Sequence, residues 1–135
     1  MNYLFLATLT SLTLTGAAMA QDRILITSEW GELTAELADN AASEALASML
    51  PLTVEMRDHL RQEKTGNLPE RLPEVERQLD FGAGTLGLWG GDDFVIYYTD
   101  GRVPQPGTVI LGQVTGDVSI YDRPGPITVR IERAE

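Results

Sequence analysis

Segments in which apolar and polar residues alternate one by one recur along this chain. Residues 24–27 and 32–37 form one pair of such segments around a break at 28–31, and residues 52–57 and 127–132 show the same two-residue period. Successive side chains of a β-strand point to opposite faces, so each segment gathers its apolar residues on one face. The pattern predicts an amino-terminal hairpin, a third strand and a closing strand, each with one face buried.

Three further strands are predicted in the second half of the chain. Residues 85–89 and 94–98 are joined by the turn Gly90-Gly91-Asp92-Asp93, which is typical of a hairpin connection. Residues 109–114 are apolar enough to form a strand buried on both sides. Residues 118–121 are predicted to form one helical turn before the closing strand.

One segment has the spacing of an amphipathic helix. Asp39 or Asn40 can cap its start, and Pro51 ends it. Its apolar residues follow the order i, i+3, i+4, i+7, i+8: Ala42, Ala45, Leu46, Met49 and Leu50. Seven or eight strands with a single helix favour closure into a barrel or a sandwich.

The segment 58–84 has a weak pattern, with two prolines and several charged residues. We expect it to be a long excursion over the surface, in which residues 66–69 could hold a short extended piece. Such segments often carry functional residues.

The first twenty residues resemble a signal peptide. Residues 4–15 are apolar and rich in threonine, and Ala18-Met19-Ala20 is typical of a cleavage site before Gln21. An uncleaved anchor is the alternative. The prediction is an exported, periplasmic or secreted protein that does not associate with the membrane after cleavage. Residues 21–135 then form one domain that can bury a core.

Composition excludes several classes of function. The chain has no cysteine, which rules out disulfides, thiol catalysis and cysteine–zinc sites. All charged residues follow the first twenty, and the net charge of −10 would repel phosphate backbones, so nucleic acid is not an expected partner. A solvated acidic surface accounts for this charge.

Several segments, taken in order, resemble the bacterial and archaeal cyclophilin-like family of small stand-alone proteins. No single segment is diagnostic, but the ordered set is, and the resemblance covers Arg23 to Arg133. The segments are Leu50-Pro51-Leu52-Thr53-Val54, Glu63-Lys64-Thr65-Gly66-Asn67-Leu68-Pro69, Leu88-Trp89-Gly90, Phe94–Tyr98 and Ile110-Leu111-Gly112-Gln113-Val114. The resemblance implies a mainly β fold: a closed barrel of about eight strands, capped by one helix, with a short second helical segment and with the first and last strands adjoining.

True cyclophilins are peptidyl-prolyl isomerases, and the resemblance raises that activity as one hypothesis. They use an arginine on the strand after the helix, in a groove lined by aromatic residues. Here that strand has no arginine in its central part, Arg57 lies at its end, and the Gln-Gly-Gly-Asp-Phe segment of the isomerase groove has no counterpart. The sequence favours a binding module for a peptide or small molecule. The alternative is an isomerase in which Arg57 is a displaced cation.

Five residues are the candidates for ligand binding. Arg57 lies on the outward face of the third strand. Glu63 and Lys64 match the family pattern, although a local ion pair or loop brace is the favoured explanation of that pair. Trp89 and Tyr97 are predicted to point away from the barrel interior. They either line a shallow outer groove or pack beneath a covering element.

No metal or cofactor is implied by the remaining polar residues. His59 is the sole histidine and is assigned to the surface, since a transition-metal site needs further His or Cys ligands. The dispersed aspartates lack the spacing of a calcium loop, and turn chemistry explains Asp92 and Asp93. A structural or assembly partner is a third functional class, which would require an exposed apolar patch.

Overall fold

The computed structural model describes residues 22–134 of the chain. The signal peptide predicted at residues 1–20, with its cleavage point before Gln21, lies outside the described residues. The strands and helices occupy the following ranges: β1 Arg23–Ser28, β2 Gly31–Leu37, α1 Ala41–Met49, β3 Leu52–His59, β4 Glu63–Asn67, β5 Asp80–Phe81, β6 Thr85–Trp89, β7 Asp93–Tyr97, β8 Gly101–Arg102, β9 Val109–Val114, a 3-10 helix Val118–Tyr121, and β10 Ile127–Arg133.

Eight of the strands form a closed antiparallel barrel. Their order around the barrel is β1, β10, β3, β4, β7, β6, β9 and β2, with β2 returning to β1. The first and last strands pair directly, with Ile26 opposite Ile131. Closure removes the unpaired edges that an open sheet would expose. The predicted fold class, a closed barrel with one helix and a short second helical segment, is confirmed.

The barrel interior holds the alternating apolar residues that the sequence placed on one face. Ile24, Leu33, Val54 and Val129 are among the side chains that are almost completely buried there. Burial of such aliphatic side chains is the main favourable contribution to folding, about 1.5–3 kcal/mol for each.

Helix α1 contributes its small apolar face to this core through Ala42, Leu46 and Ala47. Of the two predicted caps, Asn40 performs the role: its Oδ1 accepts from the backbone N–H of Ser43 at 2.8 Å, and its Nδ2 donates to the carbonyl of Ile110 at 2.9 Å. The helix is thereby fixed to strand β9. In the described part of the chain, no helix combines the length and apolar character needed to cross a bilayer.

The prediction that residues 58–84 form an irregular excursion was wrong for part of that range. Strand β4 lies within it, between β3 and β7 in the barrel wall, and β5 pairs with β8 in a separate two-stranded sheet. Strand β4 reads Glu-Lys-Thr-Gly-Asn and contains no apolar residue, so alternation could not reveal it. Asp93 is likewise the first residue of β7 rather than part of the turn.

Candidate functional site

A depression of about 230 Å³ lies on the outer barrel wall where β3, β4, β6 and β7 run side by side. Strand register brings its residues together, because Arg57 is opposite Thr65, His59 is opposite Glu63, and Trp89 is opposite Asp93. All point outward, since their strand neighbours face the core. The lining residues are Arg57, His59, Glu63, Thr65, Trp89 and Asp93.

Glu63 is the buried acidic group of this depression. Its side chain lies on the outer wall, yet the residue is only 2% exposed. Oε1 accepts a hydrogen bond from the side-chain amide of Gln62 at 3.0 Å. Oε2 is buried and has no hydrogen-bond partner among the described residues. A buried polar atom without a partner is costly and is uncommon in folded proteins.

The surroundings of Glu63 raise the pKa of its carboxyl group. Burial is the largest cause, and the negative charge of Asp93 acts in the same direction. The Gln62 hydrogen bond, the charge of His59 and the nearby Trp89 indole oppose the rise without cancelling it. Carboxyl groups with raised pKa values in surface depressions are characteristic of functional sites.

Asp93, Thr65 and Arg57 form the opposite side of the depression. The Thr65 hydroxyl donates to Oδ1 of Asp93 at 2.6 Å, which fixes the carboxylate. Arg57 Nη2 lies 3.5 Å from Oδ2 of Asp93, and its side chain is 60% exposed. An exposed pair of this kind contributes about 0–1 kcal/mol, so a ligand could redirect the guanidinium at little cost.

The two aromatic candidates have different environments. Trp89 is partly buried and lines the depression. Tyr97 is on the same outward face but is fully buried, and its ring stacks on Phe81 with centroids 3.8 Å apart and planes at 18°. Burial raises the pKa of Tyr97 to about 12. Phe81 comes from β5, so the small β5–β8 sheet covers Tyr97, which therefore packs beneath a covering element, the second of the two predicted arrangements, and does not line the groove.

Lys64 points to the opposite side of the wall from Glu63, into the barrel, and is fully buried. Its Nζ donates to Oδ1 of Asp58 at 2.8 Å, to the carbonyl of Gly125 at 2.9 Å and to the carbonyl of Arg123. Of the two bland explanations, the local ion pair of Glu63 with Lys64 is wrong, because neighbouring strand residues face opposite ways. Lys64 instead braces the loop before β10 through these carbonyl groups. Lys64 takes no part in the depression.

Three predicted residues, Arg57, Glu63 and Trp89, meet in the depression, and three others join them. Thr65 and Asp93 were not among the candidates, and His59 had been assigned only to the surface. Alternation from Glu63 would have placed Thr65 on the same face, had β4 been recognised. Across residues 22–134, no group of three or more His, Cys, Asp or Glu side chains is arranged to hold a metal ion.

Replacing Glu63 with glutamine is expected to stabilise the protein at neutral pH. A pKa raised in the folded state means that folding favours the protonated carboxyl, so wild-type stability falls as pH rises from the unfolded value of about 4.3 through the folded value. Glutamine carries no such charge. Urea unfolding at a series of pH values should show an advantage for the Glu63→Gln variant at pH 7 that shrinks towards pH 4. An unchanged difference at all pH values would contradict this assignment.

Comparison with known proteins finds both a family and a solved structure that this chain resembles. The model of the cyclophilin-like family matches residues 26–132. The solution structure of a hypothetical protein from Archaeoglobus fulgidus has a similar fold, with a TM-score of 0.67, 15% sequence identity, and coverage of 85% of this chain and 96% of that one. At this identity, the likeness concerns the fold alone. No curated protein matches the sequence. Because the family match extends over most of the chain, this protein belongs to the cyclophilin-like family.

Proposed function

We propose that this protein is a ligand-binding module and that the depression lined by Arg57, Glu63 and Trp89 holds a small molecule or one group of a peptide. The unpartnered Oε2 of Glu63 is the observation that carries the proposal. We further propose that the module is exported, on the basis of the signal-like residues 4–20.

The cost of the buried Glu63 carboxyl supports a binding role. The group lowers stability, since burial disfavours its charged form and one of its oxygens lacks a donor. Proteins tolerate such groups where function requires them. A ligand that donates a hydrogen bond to Oε2 would remove the penalty, and the exposed Arg57 and the Trp89 ring supply charge and apolar contact beside it.

The two tryptophans provide a direct test of ligand binding. Trp89 lines the depression, whereas Trp30 packs at the end of the barrel against Tyr121. Small molecules and short peptides can be screened by the NMR signals of the two indole N–H groups. We expect true ligands to move the Trp89 signal saturably, to leave the Trp30 signal in place, and to lose affinity in the Glu63→Gln variant. A screen in which no compound moves Trp89 selectively would contradict the proposal.

Prolyl isomerisation is a second candidate function, and the position of Arg57 favours it. Its guanidinium lies on the outer wall at β3, and Trp89 lines the same depression. A cation there could stabilise a twisted prolyl amide, whose uncatalysed barrier is about 18–20 kcal/mol. The neighbouring Asp93 carboxylate, 3.5 Å away, opposes this role because it neutralises the cation.

An isomerisation assay separates the two functions. We expect the purified protein to isomerise a proline-containing peptide no faster than buffer does. The Arg57→Ala variant should behave in the same way. Arg130→Ala is the matched control, since Arg130 is an exposed cation on the adjacent strand β10. A rate above buffer that is lost in Arg57→Ala and kept in Arg130→Ala would establish the isomerase and overturn our preference.

A further inference from the structure

The depression on the outer wall contains a buried hydrogen-bond acceptor that has no donor, Oε2 of Glu63. We infer that it recognises a primary ammonium group, carried by a peptide amino terminus or by a lysine side chain. This inference rests on the proposed binding function and names the chemistry of its ligand. Its central observation is a carboxyl group, Glu63, that is 98% removed from solvent, lines the depression and has one oxygen without a partner.

The free acceptor sites are enough for an ammonium group. An ionised carboxylate offers about four lone-pair sites, and an ammonium group has three donors and no acceptor. Glu63 uses one site for Gln62, and Oδ1 of Asp93 uses one for Thr65. Oε2 of Glu63 remains free. A ligand with several donors can therefore donate to Glu63 in a depression that Asp93 also lines.

The charges of the depression favour a cation over an anion. Asp93 already disfavours the ionised form of Glu63, so a third negative group would add to this repulsion. A cation would relieve it. The cation of Arg57 is 60% exposed and engaged with Asp93, which weakens its repulsion of an incoming ammonium. Trp89 adds an aromatic surface suited to a cation, and the net charge of −10 draws cations towards the protein.

The size of the depression limits what can enter it. A volume of about 230 Å³ lies below the range of about 300–1,000 Å³ that is typical of ligand pockets. A short alkylammonium group fits that space, whereas a folded peptide does not. A larger ligand would insert one ammonium-bearing end and leave the rest outside.

The first test uses n-butylammonium chloride and the neutral n-butanol, which have similar size and shape. Each is titrated against the protein at constant ionic strength, with the indole N–H signals of Trp89 and Trp30 as readouts. We expect butylammonium to shift the Trp89 signal saturably and butanol to have no comparable effect. The Glu63→Gln variant should bind butylammonium about tenfold more weakly or worse, since it loses a charge-assisted hydrogen bond.

Glu36→Gln is the matched control, because it makes the same change in net charge on β2, away from the depression. It should bind butylammonium like the wild type. Equal loss of affinity in both variants would mean that overall charge alone attracts the amine, and would overturn the inference.

Two peptides distinguish the sources of the ammonium group. One is a tri-alanine amide with a free amino terminus, and the other is an acetylated alanine peptide amide with a single lysine. Saturable binding of either, abolished by acetylating its amine, supports the inference and identifies the source. Equal binding of the acetylated forms, still weakened by Glu63→Gln, would overturn the ammonium and leave the binding function standing. If neither these probes nor any screened compound moves Trp89, both proposals fail.

Discussion

Replacing Lys64 with alanine is expected to lower the free energy of unfolding by about 3–5 kcal/mol. Lys64 is the only fully buried charged side chain among residues 22–134. Removing it leaves Asp58 without its closest cation and two carbonyl groups, of Arg123 and Gly125, without their donor. A buried charge that has lost its partner costs far more than the pair contributes when intact.

Lys64 also organises the end of the barrel that lies opposite helix α1. Its Nζ lies 5.1 Å from the centre of the Trp30 ring and 5.7 Å from that of Tyr98. The Tyr98 hydroxyl donates to Oδ1 of Asp58 at 2.6 Å. Burial tends to raise the pKa of Asp58, but hydrogen bonds from Lys64 and Tyr98 outweigh it and hold that pKa below its ordinary value. Folding therefore favours the ionised form of Asp58.

Two further variants make the Lys64 measurement specific. Lys64→Met keeps most of the side-chain volume and removes the charge, so a loss close to that of alanine would show that the charge network, rather than a cavity, is responsible. Arg102→Gln removes an exposed cation 3.8 Å from Asp80 and should cost at most about 1 kcal/mol. Urea unfolding at pH 7 measures all three. A Lys64→Ala variant as stable as the wild type would contradict the structural role of the network.

The barrel was predictable from sequence because most of its strands bury one face. The alternation in residues 24–27, 32–37 and 127–131 indicates directly which side chains enter the core. The helix was predictable from its capping residue and from the spacing of its apolar residues. A core built from successive half-buried strands leaves this signal at every element. Closure followed from the number of strands and from the family resemblance.

Strand β4 was missed because its inward residues are Lys64 and Gly66. A buried lysine is explained only by Asp58 and by carbonyl groups more than fifty residues further along the chain. The failure to recognise β4 also made the prediction of the candidate site incomplete. Without β4 and its register, Thr65 could not be placed beside Arg57. Asp93 was missed for another reason, because it was assigned to the hairpin turn rather than to the start of β7 opposite Trp89. Tyr97 was placed on the correct face, but the two-residue strand β5 that covers it is too short to leave a pattern.

Gly66 is the other inward-facing residue of β4. We expect this position not to tolerate the single methyl group that an alanine would add. A Cβ atom there would overlap the carbonyl oxygen of Glu55 on β3 and lie 2.9 Å from Cγ1 of Val54. The main obstacle is backbone, so no change of rotamer relieves it. We expect Gly66→Ala to lower the free energy of unfolding by about 3 kcal/mol, at the upper end of typical overpacking costs.

Gly82→Ala is the matched control for Gly66→Ala. Its added Cβ would meet only Oδ1 of Asp100, at 3.6 Å, which is ordinary contact. Both substitutions restrict the unfolded chain to the same degree, which by itself stabilises a protein by about 0.4–1 kcal/mol. Gly82→Ala should therefore be neutral or slightly stabilising, so that the difference between the two variants isolates the clash between β3 and β4. Equal stabilities in urea unfolding would mean that the two strands can separate freely.

Gly66→Ala is also expected to alter the depression, because the neighbouring residue Thr65 lines it. Thr65 holds Asp93 through a 2.6 Å hydrogen bond, and Arg57 stands opposite Thr65 in the strand register. Relief of the clash requires β4 to move away from β3, which shifts Thr65 relative to both partners. Any ligand detected at Trp89 should accordingly bind more weakly to the folded Gly66→Ala protein than to Gly82→Ala. Unaltered affinity in a destabilised Gly66→Ala protein would show that the depression does not depend on the close approach of these two strands.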